Sequence, residues 1–322
     1  MIKILITGGA GNVGGALAQR LIDNPNFHVV VVDNLATGKI DKLPFALHNN
    51  FKFIKADVNR FSDISSIMLA HKFDYVFHYA AMVGVKRTLA HPIKVLEDIE
   101  GIKNILSLSK NTGVKRIFYS SSSEVYGEPV EFPQNEHTTP LNSRLPYAIV
   151  KNVGEAFFKS YQQEYGLDYT VFRFFNTYGP NQSTDFVVPK FIALALQNKE
   201  ITIYGEGNQT RTFCYINDNI DATVKIFEEN IYINEVVNIG SDHEVSILKL
   251  AQLIIQIIGS QSVIKHLPPL EEGDMTRRRP DNSKMKCVLN RDLLPLEEGI
   301  RVILKEKFNI EVPTCPYIGQ PS

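Results

Sequence analysis

The segment PYAIVK sets Tyr147 and Lys151 four residues apart, a spacing that puts both side chains on one face of a helix. An ammonium beside a phenol favours the phenolate, lowering its pKa and making it usable as a general base near neutral pH. This is the only Tyr-x-x-x-Lys among 13 tyrosines. As a bare pattern an exposed helix pair is its ordinary reading, and its weight comes from position, one strand and one loop after a run of serines. That run, YSSSSEVYGE at 119–128, ends an apolar stretch where serines are badly placed unless a site uses them. On an extended backbone residues two apart point the same way, so Ser122 and Glu124 are expected to face one cleft and Ser121 and Ser123 the other side.

A second group of residues suits a dinucleotide. In TGGAGNVGGAL, Gly8, Gly11 and Gly14 frame Asn12 and Val13. Their spacing allows a tight turn, close approach of backbone N–H groups to a pyrophosphate, and tight packing of the helix that follows. A glycine triplet alone is weak, but this one follows an apolar run, opens a helix, and is answered by Asp33 beside Asn34. A carboxylate there accepts hydrogen bonds from a ribose diol and repels a 2′-phosphate, which favours NAD over NADP. Asp57, next to Val58 after the third apolar run, could reach the adenine, with a helix-capping role nearly as good a reading.

The elements that must position these groups alternate. Apolar runs at 2–7, 28–33, 51–56, 74–80, 115–120 and 168–174 are separated by amphipathic segments such as GGALAQRLID. Continuous apolar runs of this length indicate a parallel sheet covered on both faces, the doubly wound α/β (Rossmann) class. After residue 175 the rhythm breaks into Pro- and Gly-punctuated pieces. The chain is therefore expected to divide into a cofactor domain at 1–175, with a strand near 236–240 returning to it, and a smaller interleaved α/β lobe over most of 176–322.

With 34 Lys and Arg against 35 Asp and Glu, and no basic block beyond Arg277-Arg278-Arg279, a nucleic-acid partner is not expected. No apolar run approaches bilayer length and MIKILITGG enters a strand directly, so no membrane association and a cytoplasmic location are expected. Cys214, Cys287 and Cys315 are dispersed and form no Cys-x-x-Cys pair, which supports neither a disulfide framework nor a zinc site.

Taken together, TGGAGNVGG, VVDNLATG, HYAAMVGV, SSSSEVYGEP, YAIVK, RFFNTYGP, IYGEGNQTRTFCYINDNIDA and EGDMTRRRPDNSK resemble the extended short-chain dehydrogenase/reductase family over nearly the whole chain. The likeness is to its NAD-dependent nucleotide-sugar epimerases and dehydratases. It implies a catalytic set of Ser122, Tyr147 and Lys151, with Lys151 also on the nicotinamide ribose and Ala80 and Ala81 along the cofactor. It further implies that Asn176, Arg211 and Arg277 contact the diphosphate or its sugar and that Val188 and Tyr204 line the base pocket. For Arg278 and Arg279 a surface charge is the stronger reading. Family epimerases generally carry a small or neutral residue at the position of Glu124, whereas 4,6-dehydratases and uronate decarboxylases resemble this chain in having Glu. Ser123 beside it resembles the Thr-Ser-Glu arrangement of GDP-mannose dehydratases and UDP-glucuronate decarboxylases. The decarboxylases also carry Gly-Arg before a VV pair; here Asp185-Phe186 precede Val187-Val188, which points to a neutral hexose or heptose.

The expected activity is thus oxidation at C4 of a nucleotide-linked sugar, then 4,6-dehydration with Glu124 removing the C5 proton. The alternatives are 4-epimerisation, release of the 4-keto sugar, uronate decarboxylation, and, from another class, a non-catalytic NAD-sensing protein. Helical segments 93–110 and 147–165 match those that pair in the resembled family's dimers, so a homodimer is expected.

Overall fold

The structure, a computed structural model, describes residues 1–44, 48–128, 130–269 and 277–312, leaving aside the side chains of Val85 and Lys86. Cys315 and the EGDMT part of the late motif lie outside the described residues.

The first six apolar runs form β1 (Ile2–Thr7), β2 (Phe27–Asp33), β3 (Phe51–Lys55), β4 (Tyr75–His78), β5 (Arg116–Ser122) and β6 (Asp168–Phe174). Later strands are β7 (Thr177–Tyr178), β8 (Ile201–Tyr204), β9 (Thr210–Thr212), β10 (Cys214–Tyr215), β11 (Glu235–Ile239), β12 (Glu244–Ser246) and β13 (Ile264–Leu267). Seven of them make one sheet in the order β11-β6-β5-β4-β1-β2-β3, every pairing parallel. The side-chain period of two explains why the runs are apolar throughout. Ile4, Ile6, Val29 and Val31 enter the core on one face, and Leu5, Val30 and Val32 the core on the other.

The helices that cover these faces are α1 (Asn12–Ile22), α2 (Phe61–His71), α3 (Val85–Ala90), α4 (Pro92–Leu96), α5 (Asp98–Thr112), α6 (Pro146–Tyr165), α7 (Val187–Leu196) and α8 (Ile216–Glu228). Ile64 of α2, Ile105 of α5 and Phe158 of α6 fill the core under one face. Leu17 and Leu21 of α1, with Ile220 and Phe227 of α8, fill the other. The Phe227 ring lies 5.5 Å from Phe27, 5.0 Å from Tyr75, 5.6 Å from Phe77 and 5.8 Å from Phe118. A helix from the second half of the chain thus packs on sheet strands contributed by the first half, and truncating that ring would cost about 3–5 kcal/mol.

Two terminal signals place α6, the helix carrying Tyr147 and Lys151. Pro146 occupies its first turn after an extended Leu145, and Gly166 ends it in the left-handed region at φ 67°. After residue 175 three two-stranded pairs stand apart from the seven-stranded sheet, β8 with β13, β9 with β12 and β7 with β10. Cys214 is buried and Cys287 exposed, both free. Among the described residues no helix is long and apolar enough to cross a membrane, and no group of three or more His, Cys, Asp or Glu side chains could hold a metal ion.

Candidate active site

A cleft of about 570 Å³ runs along the carboxyl ends of the parallel strands. Its position follows from the strand order, which reverses between β1 and β4 and leaves a crevice where the following loops part. Six of the seven strands deliver a wall residue: Gly8 after β1, Asn34 after β2, Asp57 after β3, Ala80 and Ala81 after β4, Glu124 after β5 and Asn176 after β6.

On one side the backbone makes a cradle. Gly8 has φ +69°, and a Cβ there would come within 2.6 Å of the Ala80 nitrogen; a Cβ on Gly14 would meet the Gly8 carbonyl oxygen at 2.5 Å. Only glycine fits this approach of the two loops. The first turn of α1, opened by Gly11 and continued by Asn12 and Val13, has no side-chain cap and lines the cleft, leaving N–H groups for an anion. Asp33 is locked in place, Oδ2 accepting the Ala10 N–H at 3.0 Å and Oδ1 the Leu35 N–H at 2.8 Å. Asp57 accepts from Asn34 Nδ2 at 3.2 Å and from the Asn59 N–H at 3.0 Å. It does not cap α2, whose N-cap is Arg60, so its capping alternative is set aside. Val58 completes this wall.

On the other side Ser122, Glu124, Tyr147 and Lys151 come together. The serine run departs from the expected alternation. Extended backbone stops at Ser122, and Ser123–Tyr126 turn as a 3-10 helix. The turn, not the pleat, swings Glu124 into the cleft. It also lets the Glu124 N–H donate to Ser122 Oγ at 3.2 Å, and the Ser122 hydroxyl is placed to favour the Tyr147 phenolate. Ser121 points elsewhere, donating to Glu155 Oε1 at 2.5 Å. Glu155 is forked by Arg173 at 3.0 and 2.7 Å. Arg173 in turn donates to Tyr126 Oη at 2.8 Å, and Tyr126 to Asn238 Oδ1 at 2.8 Å. This buried network fixes the end of β5 against α6, β6 and β11.

The expected effect of Lys151 on Tyr147 is corrected. Lys151 Nζ donates to the Ser120 carbonyl at 2.6 Å and stands 5.8 Å from the Tyr147 ring centre. Burial, then the charge of Glu124, push the phenol well above its ordinary value, and the nearby Ser122 hydroxyl only partly opposes them. Lys151 itself is lowered to about 8 by burial, against the opposing charges of Asp98 and Glu155.

Arginine placement also differs. Arg277 pairs with Glu244 at 2.6 and 2.5 Å and lies 4.2 Å over the Phe132 ring; Arg278, read from the sequence as a surface charge, is buried and lines the cleft. Its Nη1 is 3.5 Å from both Glu124 Oε1 and Ser123 Oγ. Neighbours on an extended segment point opposite ways, and the register is set by docking. The Gln134 N–H donates to the Arg279 carbonyl and the Asp281 N–H to the Gln134 carbonyl, and Asn282 Nδ2 donates to the Gly240 carbonyl. Arg211 on β9 and Tyr204 at the end of β8 are likewise not among the cleft-lining residues, whereas Asn176 and Val188 are. Asn176 holds a left-handed conformation at φ 34° and donates to the Thr212 carbonyl at 3.0 Å.

Sequence reasoning missed Asp98. It opens α5, accepts the Met82 N–H at 2.7 Å and Asn59 Nδ2 at 3.2 Å, and is raised by burial. Its signal was a carboxylate in the first turn of a helix leading away from HYAAM.

Residues 4–240 match the NAD dependent epimerase/dehydratase family. Over 307 residues the chain is 37% identical to UDP-glucuronic acid decarboxylase 1 of Danio rerio, spanning 92% of this chain and 71% of that protein. It is 36% identical over 298 residues to the UDP-N-acetyl-alpha-D-glucosaminuronate decarboxylase of Bacillus cytotoxicus, spanning 88% of this chain and 90% of that one. Among solved structures, the UDP-glucose 4-epimerase of Thermotoga maritima with UDP-glucose superposes with a TM-score of 0.89 at 33% identity, covering 96% of this chain and 99% of that chain.

Proposed function

The chain belongs to the NAD-dependent epimerase/dehydratase family, and from that premise we propose that it oxidises C4 of a UDP-linked uronic sugar and then releases C6 as carbon dioxide. NAD is the cofactor, and the Gly8, Gly11 and Gly14 turn, the uncapped start of α1 and Asp33 are the groups fitted to hold it. When bound, NAD would supply the hydride acceptor and a positive charge that favours the Tyr147 phenolate.

Tyr147 takes the C4 hydroxyl proton. Ser122, its own oxygen engaged by the Glu124 N–H, donates to the phenol oxygen and stabilises the phenolate. Lys151, fixed by the Ser120 carbonyl, supplies positive charge beneath it. A ketone at C4 makes the C6 carboxylate part of a β-keto acid. The C5–C6 bond then breaks, its electrons pass into an enolate, carbon dioxide leaves, and C5 takes a proton.

The observation that carries this choice is Arg278, 3.5 Å from Glu124 on the cleft wall. A guanidinium fork matches a carboxylate. Glu124 holds that guanidinium, and its like charge disfavours the C6 carboxylate relative to neutral carbon dioxide. Decarboxylases of UDP-linked uronates at 37% and 36% identity support the same substrate class.

Elimination across C5 and C6, the expectation from sequence, is the second reading, because Glu124 is a carboxylate able to take the C5 proton. It also needs a proton for the departing C6 hydroxide, and the residue beside Glu124 is Ser123, whose hydroxyl faces Arg278. The test is mass spectrometry after incubating the NAD-loaded protein with UDP-glucuronate, UDP-glucose, GDP-mannose and dTDP-glucose. Carbon dioxide lost from UDP-glucuronate supports decarboxylation, and water lost from a neutral hexose selects elimination. An isobaric epimer as sole product removes both. A cytoplasmic location and a homodimer complete the proposal.

A further inference from the structure

Also lining the cleft, Arg87 of α3 forms an ion pair with Asp185, Nη2 to Oδ2 at 3.0 Å. Its Nη1 is held by the Val83 carbonyl at 2.9 Å, which aims the guanidinium rather than leaving it to swing. Arg87 follows directly from the Ala80-Ala81 loop after β4, and Asp185 directly precedes α7 with Val188. The pair therefore joins the wall on the cofactor side to the wall on the nucleotide side.

Four observations show that this arginine does more than tie two loops. Arg87 and Arg278 are the guanidinium groups among the described residues lining the cleft. Arg278 is turned toward Glu124 and Ser123. Arg211 and Arg277, the arginines the sequence suggested for the diphosphate, do not line the cleft. Finally, the side chains of Arg87 and Asp185 are 34% and 50% exposed. A pair so exposed is weak and easily exchanged, whereas a guanidinium on a phosphate or carboxylate within a cleft makes a charge-assisted fork about twice as strong as a neutral hydrogen bond.

We propose that Arg87 is a specificity-determining residue with two partners, Asp185 in the ion pair seen here and an anionic oxygen of the sugar nucleotide, for which Asp185 competes. The anion is a diphosphate oxygen or the C6 carboxylate. This rests on reading the cleft as a sugar-nucleotide site. Competition makes the two ends of the ion pair behave oppositely: removing Arg87 weakens binding and removing the charge of Asp185 strengthens it.

The experiment is calorimetric titration of the NAD-loaded protein with UDP, UDP-glucose and UDP-glucuronate. Arg87→Met should weaken binding about ten- to a hundredfold, the range for a hydrogen-bonded charge. Asp185→Asn should tighten it about two- to fivefold, the scale of an exposed pair. An Arg87→Met loss of equal size with all three probes assigns the diphosphate, and a loss confined to UDP-glucuronate assigns the carboxylate. Weakening by both substitutions identifies a simple tie between walls and overturns the proposal. So does unchanged binding in Arg87→Met when wild type binds the probes. Wild type that binds none of the three overturns the sugar-nucleotide reading, and this inference falls with it.

Discussion

Arg278 Nη1 stands 3.5 Å from Glu124 Oε1 although 154 residues separate them along the chain. If Arg278 anchors a C6 carboxylate, Arg278→Met should weaken UDP-glucuronate about ten- to a hundredfold and leave UDP-glucose nearly unchanged. Equal losses for both sugars would show that Arg278 holds a group common to them.

Glu124→Gln keeps the shape of the turn and removes its charge. Oxidation at C4 should survive, because Ser122, Tyr147 and Lys151 are untouched, while release of carbon dioxide slows by about 10²- to 10³-fold, the usual loss for one electrostatic group. Single-turnover absorbance of reduced nicotinamide separates the two steps. Tyr147→Phe should instead stop the first oxidation, by about 10²- to 10⁴-fold. In heavy water the wild-type product should carry deuterium at C5; product without it, made unchanged by Glu124→Gln, would exclude chemistry at C5.

Asp33 presents a charge whose two oxygens are already oriented by the Ala10 and Leu35 N–H groups. Asp33→Ala should weaken NAD about ten- to a hundredfold and narrow the preference over NADP by removing repulsion at the ribose 2′ position. Titration with both cofactors checks this, and tighter binding of NADP by wild type would end the assignment.

Lys151, lowered from 10.5 to about 8 mainly by burial, makes a signed prediction about stability. Between those values the unfolded chain keeps the proton that the folded chain has lost, so stability from this group rises with pH across the window. Its cost is fully present below about pH 8. Relative to Lys151→Met, wild type should gain about 3 kcal/mol between pH 8 and 10.5. Urea unfolding of both proteins across that range measures it, and a constant difference would show that the ammonium is not buried as described.

Leu89, Ile93 and Leu96 on α3 and α4, with Ile149 on α6, are exposed apolar side chains, Ile93 by 75%. A second copy covering them gives a homodimer. Light scattering at micromolar concentration should report a dimer, and Ile93→Glu a monomer; a monomeric wild type would remove the expectation.

The cofactor wall was legible in sequence because its determinants are local: glycines within one turn and an aspartate at the end of the next strand. The reacting side was legible only in part. Tyr147 and Lys151 share a helix, so spacing was enough to join them. The reach of Glu124 depended on where β5 stops pairing, and four serines give no sign that Ser122 is the last extended residue. Arg277 and Arg278 are chemically identical neighbours, and which one faces inward is decided by how the segment around Pro280 docks on Gln134 and Gly240. No spacing rule carries that register. Arg211 and Tyr204 do not line the cleft for a related reason, since the short strands that carry them lack the long periodic pattern of β1 to β6.

The nesting of Phe227 among Phe27, Tyr75, Phe77 and Phe118 bears on recombination. A chimaera joined at residue 175 would exchange α8 along with the rest of the later chain and present a foreign helix to an aromatic nest shaped for this one. Grafting a new specificity onto this scaffold therefore calls for three crossovers, so that α8 and β11 travel with the first half while the segments carrying Asp185 and Arg278 are replaced.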